Sequence, residues 1–147
     1  MKYINRWMVL VLIIVAGLQF VACAQTTAEA EKAEPAKIEP IAGTEFNRVV
    51  LTEKAAQRLG VQTDLIREEQ LNGTQEMVVP YAAVIYGLNG ETWVYVNPEP
   101  LTFIRELVTI DYIEGDLAVL VDGPPAGTSV ATVAVAELYG TDTGVGK

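Results

Sequence analysis

Very little in this chain can carry out covalent chemistry. It has no histidine, and Ser129 is its single serine, so neither a Ser-His-Asp nor a Cys-His arrangement can be assembled. The same lack excludes imidazole-based zinc, copper and haem sites. With Cys23 the lone cysteine, four-thiolate sites and internal disulfides are excluded too. Oxygen-ligand cations remain, but the carboxylates show no calcium-loop spacing. Two facing carboxylates could still run glycosidase chemistry. Glu68-Glu69, Asp111, Glu114 and Asp116, however, fall at expected strand ends or turns where acids are solvated, and nothing places a pair. Gly144-Val145-Gly146-Lys147 resembles a phosphate loop only superficially, because the glycine spacing, the residue after lysine and the following helix are all missing. Asn72-Gly73-Thr74 meets the N-glycosylation pattern and reads better as a turn between strands. The expectation is a non-enzymatic chain with no cofactor and no metal.

The remaining binding chemistry is aromatic and electrostatic. Trp93, Tyr95, Tyr81, Tyr86 and Phe103 offer either an aromatic surface or, from their alternation, core and cross-strand packing, with core the default. The formal charge is −9, and it is more negative still without Lys2 and Arg6. So acidic a body repels phosphate backbones and anionic headgroups, and no basic patch interleaved with aromatics exists, which argues against nucleic acid.

At 147 residues the chain holds one small domain, or a domain plus a tail. Its start reads as an address: Lys2 and Arg6, then the apolar run Trp7 to Leu18, then Val21-Ala22-Cys23-Ala24. The run is shorter than the roughly 20 residues of a spanning helix, although an uncleaved anchor stays possible because no charge follows before Glu29. Phe20-Val21-Ala22-Cys23 resembles the lipobox of bacterial lipoproteins, with Phe20 where that family usually has Leu, and implies lipidation at Cys23. Ala22-Cys23-Ala24 also fits ordinary A-x-A cleavage, which would discard the thiol. Residues 1–23 are thus expected to be a signal peptide of lipoprotein type, and each reading of the cleavage puts the body outside the cytoplasm.

Residues 24–45, rich in Ala and Glu with Pro35 and Pro40, are expected to be a disordered tether. From Phe46 the pattern becomes that of a mainly β domain, 46–140, ahead of a flexible tail, 141–147. Thr52 to Gly60 reads as its one short helix, with Thr52 the cap and Gly60 the stop. Strands are expected at Arg48 to Leu51, Val61 to Ile66, Glu76 to Val79, Ala82 to Tyr86, Thr92 to Val96, Leu101 to Ile113, Leu117 to Val121 and Ser129 to Val135. Asn89-Gly90 is a hairpin signal, and Asp122 to Gly127 is a rigid turn. Regular spacing of short strands points to a small barrel or sandwich.

Val79-Pro80-Tyr81-Ala82-Ala83-Val84-Ile85-Tyr86, Asn89 to Val96, Pro100 to Arg105, Gly115-Asp116, Gly127 to Val130 and Ala136 to Gly140 resemble, in order and spacing, a known family. They look like the membrane-proximal β-domain of the periplasmic adaptors, or membrane fusion proteins, of RND-type efflux pumps. Val49 to Thr52 and Ala55 to Thr63 look like the segment ahead of the lipoyl domain in those adaptors. The chain departs from the family in passing from Thr63 to Val79 with no lipoyl halves and no heptad run for a helical hairpin. The resemblance implies a docking role toward an inner-membrane RND-type permease or another envelope protein, without the reach to bridge a pump alone.

The resulting expectation is a membrane-anchored lipoprotein of the periplasm or cell envelope, an accessory to a transmembrane transporter. Exposed loops carry contacts while strands hold shape, so the contact residues are expected at Asn89, Gly90, Pro98, Glu99 and Pro100. The alternatives are a small-ligand or cation carrier whose barrel mouth holds the ligand, and an adaptor remnant with no transport role.

Overall fold

Residues 34–144 are described by a computed structural model of the chain. The expected signal peptide, with Cys23, lies outside them. The first helix behaves as its sequence dictates. Helix α1, Glu53–Leu59, starts where the Thr52 hydroxyl accepts the Ala55 N–H at 3.2 Å. It ends at Gly60, whose φ of +64° suits a residue without a side chain. At seven residues it cannot stand alone, and Ala55, Ala56 and Leu59 pack on the sheet.

The sheet is assembled from β1 (Ala36–Pro40), β2 (Asn47–Leu51), β3 (Gln62–Leu65), β4 (Arg67–Leu71), β5 (Thr74–Pro80), β6 (Ile85–Tyr86), β7 (Thr92–Glu99), β8 (Thr102–Glu114), β9 (Leu117–Asp122) and β10 (Ser129–Val133). Its main path runs β3-β10-β7-β8-β9-β5-β4, with β2 beside β8, β1 beside β2 and β6 beside β7. The result is a mainly β fold whose sheet curls into a half-barrel. Every strand pair is antiparallel; five of the nine join neighbours in sequence through short connections, whereas β2–β8, β3–β10, β5–β9 and β7–β10 bring distant segments together. Strand β8 spans both parts of the sheet. Its first residues pair with β7 and β2, its last with β9, and register shifts between Thr109 and Tyr112 bend it from one part to the other. At the corner between β3 and β4 the fully buried Ile66 accepts the Gly127 N–H and donates to Thr128 C=O, tying the rigid turn to the sheet.

Strand β7 is buried on both faces, and this divides the core. Val94 and Val96 point into the half-barrel, where Ile66, Val79, Val108, Ala118, Leu120 and Val130 fill the interior. Tyr95 points the other way and meets Val49, Leu51, Phe103, Ala131, Val135 and Leu138. That outer layer is roofed by a second helix, α2, Val135–Thr143.

Several expectations differ from this structure. The strand expected at Ala82 to Tyr86 is broken, because Tyr81–Ala83 form a 3-10 turn and only Ile85 and Tyr86 pair with β7. Where one short helix is expected, α2 is a second. The segment read as a tether contains β1, because Ala36 packs against the outer core, Ile38 becomes half-buried, and the strand gains a ladder with β2. The last expected strand stops at Val133, and the tail read from residue 141 is still helical to Thr143. An unpredicted strand, β4, completes the hairpin whose turn is Asn72-Gly73.

Candidate functional site

The residues chosen from sequence as contact loops do not converge. Leu88 to Glu91 close the connection from β6 to β7, and Gly87 N–H donates to Glu91 C=O at 2.8 Å. The Glu91 carboxylate accepts the Asn89 N–H, and Gly90 takes φ +88° at the bend. Pro98, Glu99 and Pro100 lie at the other end of β7, so the strand's own rise of about 3.4 Å per residue separates the two groups by more than 20 Å. Pro98 and Glu99 belong to the strand rather than to a turn, and the reversal itself falls at Pro100-Leu101. The Asn97 amide braces that reversal by donating to Glu99 C=O and Thr102 C=O at 2.7 and 2.8 Å. Five residues from one pattern therefore form two sites. At the first of them the Leu88 side chain is 92% exposed, beside Tyr86 at 52%.

The aromatic set divides in the same way. Tyr95 and Phe103 are core, whereas Tyr81 and Tyr86 sit on the surface and share a hydrogen bond between hydroxyls at 3.3 Å. Trp93 belongs to a cluster that sequence reasoning missed. Strand register sets Arg105 of β8 directly opposite Tyr95 of β7, and both side chains rise toward α2. The Arg105 guanidinium carbon lies 4.8 Å from the Trp93 ring centre and 5.5 Å from those of Phe46 and Tyr139, within reach of a cation–π attraction. Phe46 meets Trp93 edge-on at 5.5 Å. Asp142 of α2 supplies the counter-charge. Its carboxylate takes the Tyr95 hydroxyl at 2.9 Å and the Asn47 amide at 3.0 Å, and stands 3.2 Å from Arg105 Nε. The Arg105 Nε–H is not aimed at that oxygen, so the contact is an ion pair rather than a hydrogen bond. Burial first, then the adjacent Asp142 carboxylate, holds the Tyr95 phenol proton far above its ordinary range.

This cluster has a cation, an anion and aromatic faces but no nucleophile; its charges offset one another, while Trp93 Nε1–H and Arg105 Nε–H are buried without a hydrogen-bond partner. Its chemistry is to clamp α2 onto β2, β7 and β8. No single motif could have revealed it, since its members are drawn from positions 46 to 142.

The acids weighed for catalysis are scattered. Glu68 and Glu69 lie on strand β4 at the end of the sheet path, where they meet Gln75 and Arg67. Glu114 accepts from Asn72, and Asp116 contributes its backbone carbonyl to Tyr81 N–H. Among the described residues no group of three or more His, Cys, Asp or Glu could hold a metal ion. The half-barrel interior is filled by the first core, so the mouth imagined for a ligand carrier opens on packed side chains. An open groove of about 980 Å³ lies instead outside the sheet, between β1, α1 and α2.

No family model and no curated protein matches the chain. Among solved structures it is similar to the NMR structure of the N-terminal metal-binding site and membrane proximal domain of SilB from Cupriavidus metallidurans CH34. The identity is 19% and the TM-score 0.44, over 76% of this chain and 71% of that one.

Proposed function

We propose that the chain is a non-enzymatic, extracytoplasmic lipoprotein whose β-domain works as the membrane-proximal domain of an efflux adaptor does, docking on a transmembrane transporter as an accessory. The observation that carries the reading is the Asn89-Gly90 connection. It holds a large apolar side chain, Leu88, at 92% exposure on a short turn closed by backbone hydrogen bonds. With the exposed Tyr86 beside it, Leu88 forms an apolar and aromatic tip on a rigid support, which suits contact with a partner's surface. The ordered run of motifs from Val79 to Gly140 supplies the class of partner. Because Pro98, Glu99 and Pro100 stand at the opposite end of β7, the docking contact is assigned to Leu88, Asn89 and Gly90.

The test places a photo-crosslinking amino acid at position 88 of the full chain in its native membranes. An adduct with a transmembrane transporter, lost when the same group is moved to exposed Glu106 on β8, supports the reading. No adduct above the unirradiated control rejects it.

A further inference from the structure

Strand β1 has β2 on one side and, among the described residues, no strand on the other. Two flanking bonds set the phase of its ladder: Thr52 N–H donates to Pro35 C=O at 3.0 Å, and Ile41 N–H to Phe46 C=O at 3.0 Å. Bonded pairs alternate along an antiparallel ladder. The register therefore makes Lys37/Val50 and Glu39/Arg48 the bonded pairs. The N–H and C=O groups of Ala36 and Ile38, and the C=O of Pro40, are left pointing away from the sheet. On the far side of β2, the bond from Leu51 N–H to Leu101 C=O agrees with that phase. Beside this open edge runs the groove, lined among others by Ala36, Ile38, Ala55, Leu59, Ala136 and Gly140.

Such an edge is a template for another strand. Prolines at Pro35 and Pro40 limit its length, and the charges on it limit its register. We propose that β1 pairs antiparallel with β1 of a second copy of this chain, Ile38 facing Ile38 of the partner subunit across a two-fold axis.

The charge pattern selects that occupant. With Ile38 on the axis, Lys37 falls opposite Glu39 of the partner subunit and Glu39 opposite Lys37 of the partner subunit. A slip to either neighbouring register of the same ladder phase puts lysine against lysine or glutamate against glutamate, which is unfavourable for directly opposed residues. The Lys37 ammonium lies 2.8 Å from Glu39 on the same strand, so both charges already share one face. The hydrogen bond from Lys37, foremost, holds the Glu39 carboxyl below its ordinary range and keeps it ionised at neutral pH. The paired edges would exchange reciprocal bonds between the two Ile38 backbones and donate each Ala36 N–H to the opposite Pro40 C=O. Because proline has no N–H, the return bond of each outer pair, from Pro40 to the opposite Ala36 C=O, is absent, so four backbone bonds join the two edges. The axis stands perpendicular to the sheet, so both Ile38 side chains stay on the groove face and adjoin there.

Sedimentation of the full chain in one mild detergent tests the idea, on wild type, Lys37→Glu, Glu39→Lys and an equimolar mixture of the two variants, with a thermal melt of each to verify folding. Wild type is expected to dimerise, each variant alone to dimerise about tenfold more weakly or worse, and the mixture to recover the wild-type affinity because every glutamate again faces a lysine. Because Arg48 also leans on Glu39, at 3.7 Å, a readout without variants runs alongside: amide exchange at Ile38 should slow as wild-type concentration rises. A monomer throughout, a dimer indifferent to both substitutions, a mixture that stays dissociated, or Ile38 exchange independent of concentration would each overturn the proposal. None of these results bears on the transporter contact at Leu88.

Discussion

Asp142→Ala is the substitution that asks most of the structure. The side chain is 1% exposed and answers two donors, the Tyr95 hydroxyl at 2.9 Å and the Asn47 amide at 3.0 Å, and one cation, the Arg105 guanidinium at 3.2 Å. Removing one member of a buried ion pair costs about 3–5 kcal/mol, since the other charge is left without compensation. The Arg105 side chain keeps 14% exposure and three aromatic faces, which places this case near the lower end, at about 3 kcal/mol. For a domain of this size that is a large share of a total of about 5–15 kcal/mol, and at about 4 °C per kcal/mol it lowers Tm by about 12 °C. Urea unfolding followed by tryptophan fluorescence reads it directly, because Trp93 lies in the cluster. A cycle with Tyr95→Phe isolates the mechanism. The phenylalanine should cost about 1 kcal/mol in wild type and almost nothing once Asp142 is gone, as its hydroxyl has then lost its acceptor. A loss below about 1 kcal/mol for Asp142→Ala, or equal costs of Tyr95→Phe in both backgrounds, would refute the clamp.

Thr52→Ala removes the acceptor of Ala55 N–H and should cost about 1 kcal/mol of stability in the same denaturation assay, whereas Thr52→Ser should restore most of it. The Tyr95 phenol holds its proton more tightly when folded, so its contribution is complete below the unfolded value near 10 and is lost as pH rises beyond it. Stability should then fall by up to about 1.4 kcal/mol per pH unit above that point, and Tyr95→Phe should flatten the alkaline limb; an unchanged slope would contradict the assignment. If Cys23 is the lipidated first residue, Cys23→Ala releases the protein from the membrane fraction, and mass spectrometry of the wild type finds an acylated N-terminus. A wild-type N-terminus at Gln25 would favour ordinary cleavage instead.

The sequence by itself determined those elements whose signals are local. The Thr52 cap, the Gly60 stop, the Asn89-Gly90 bend and the β-branched runs of β7 to β9 each express a preference satisfied within a few residues. The mainly β class followed from them. What stayed hidden depends on distant partners. Helix α2 begins after Ala134 at φ +68° with no side-chain cap, and it carries Gly140, Thr141 and Thr143, which favour other conformations. It exists because Leu138 is buried in the outer core and Asp142 meets Arg105, Tyr95 and Asn47 from strands far away in the chain. Strand β1 resembles a tether in composition and becomes a strand only because β2 offers it a ladder and the outer core accepts Ala36. The contact loops show the same division. The Asn89-Gly90 bend was legible, but the strand identity of Pro98 and Glu99 and the separation of the two groups were not, because distance along β7 turns one apparent surface into two ends of a strand. Local preference names the elements, whereas burial and charge pairing between residues remote in sequence decide which of them persist and which side chains meet.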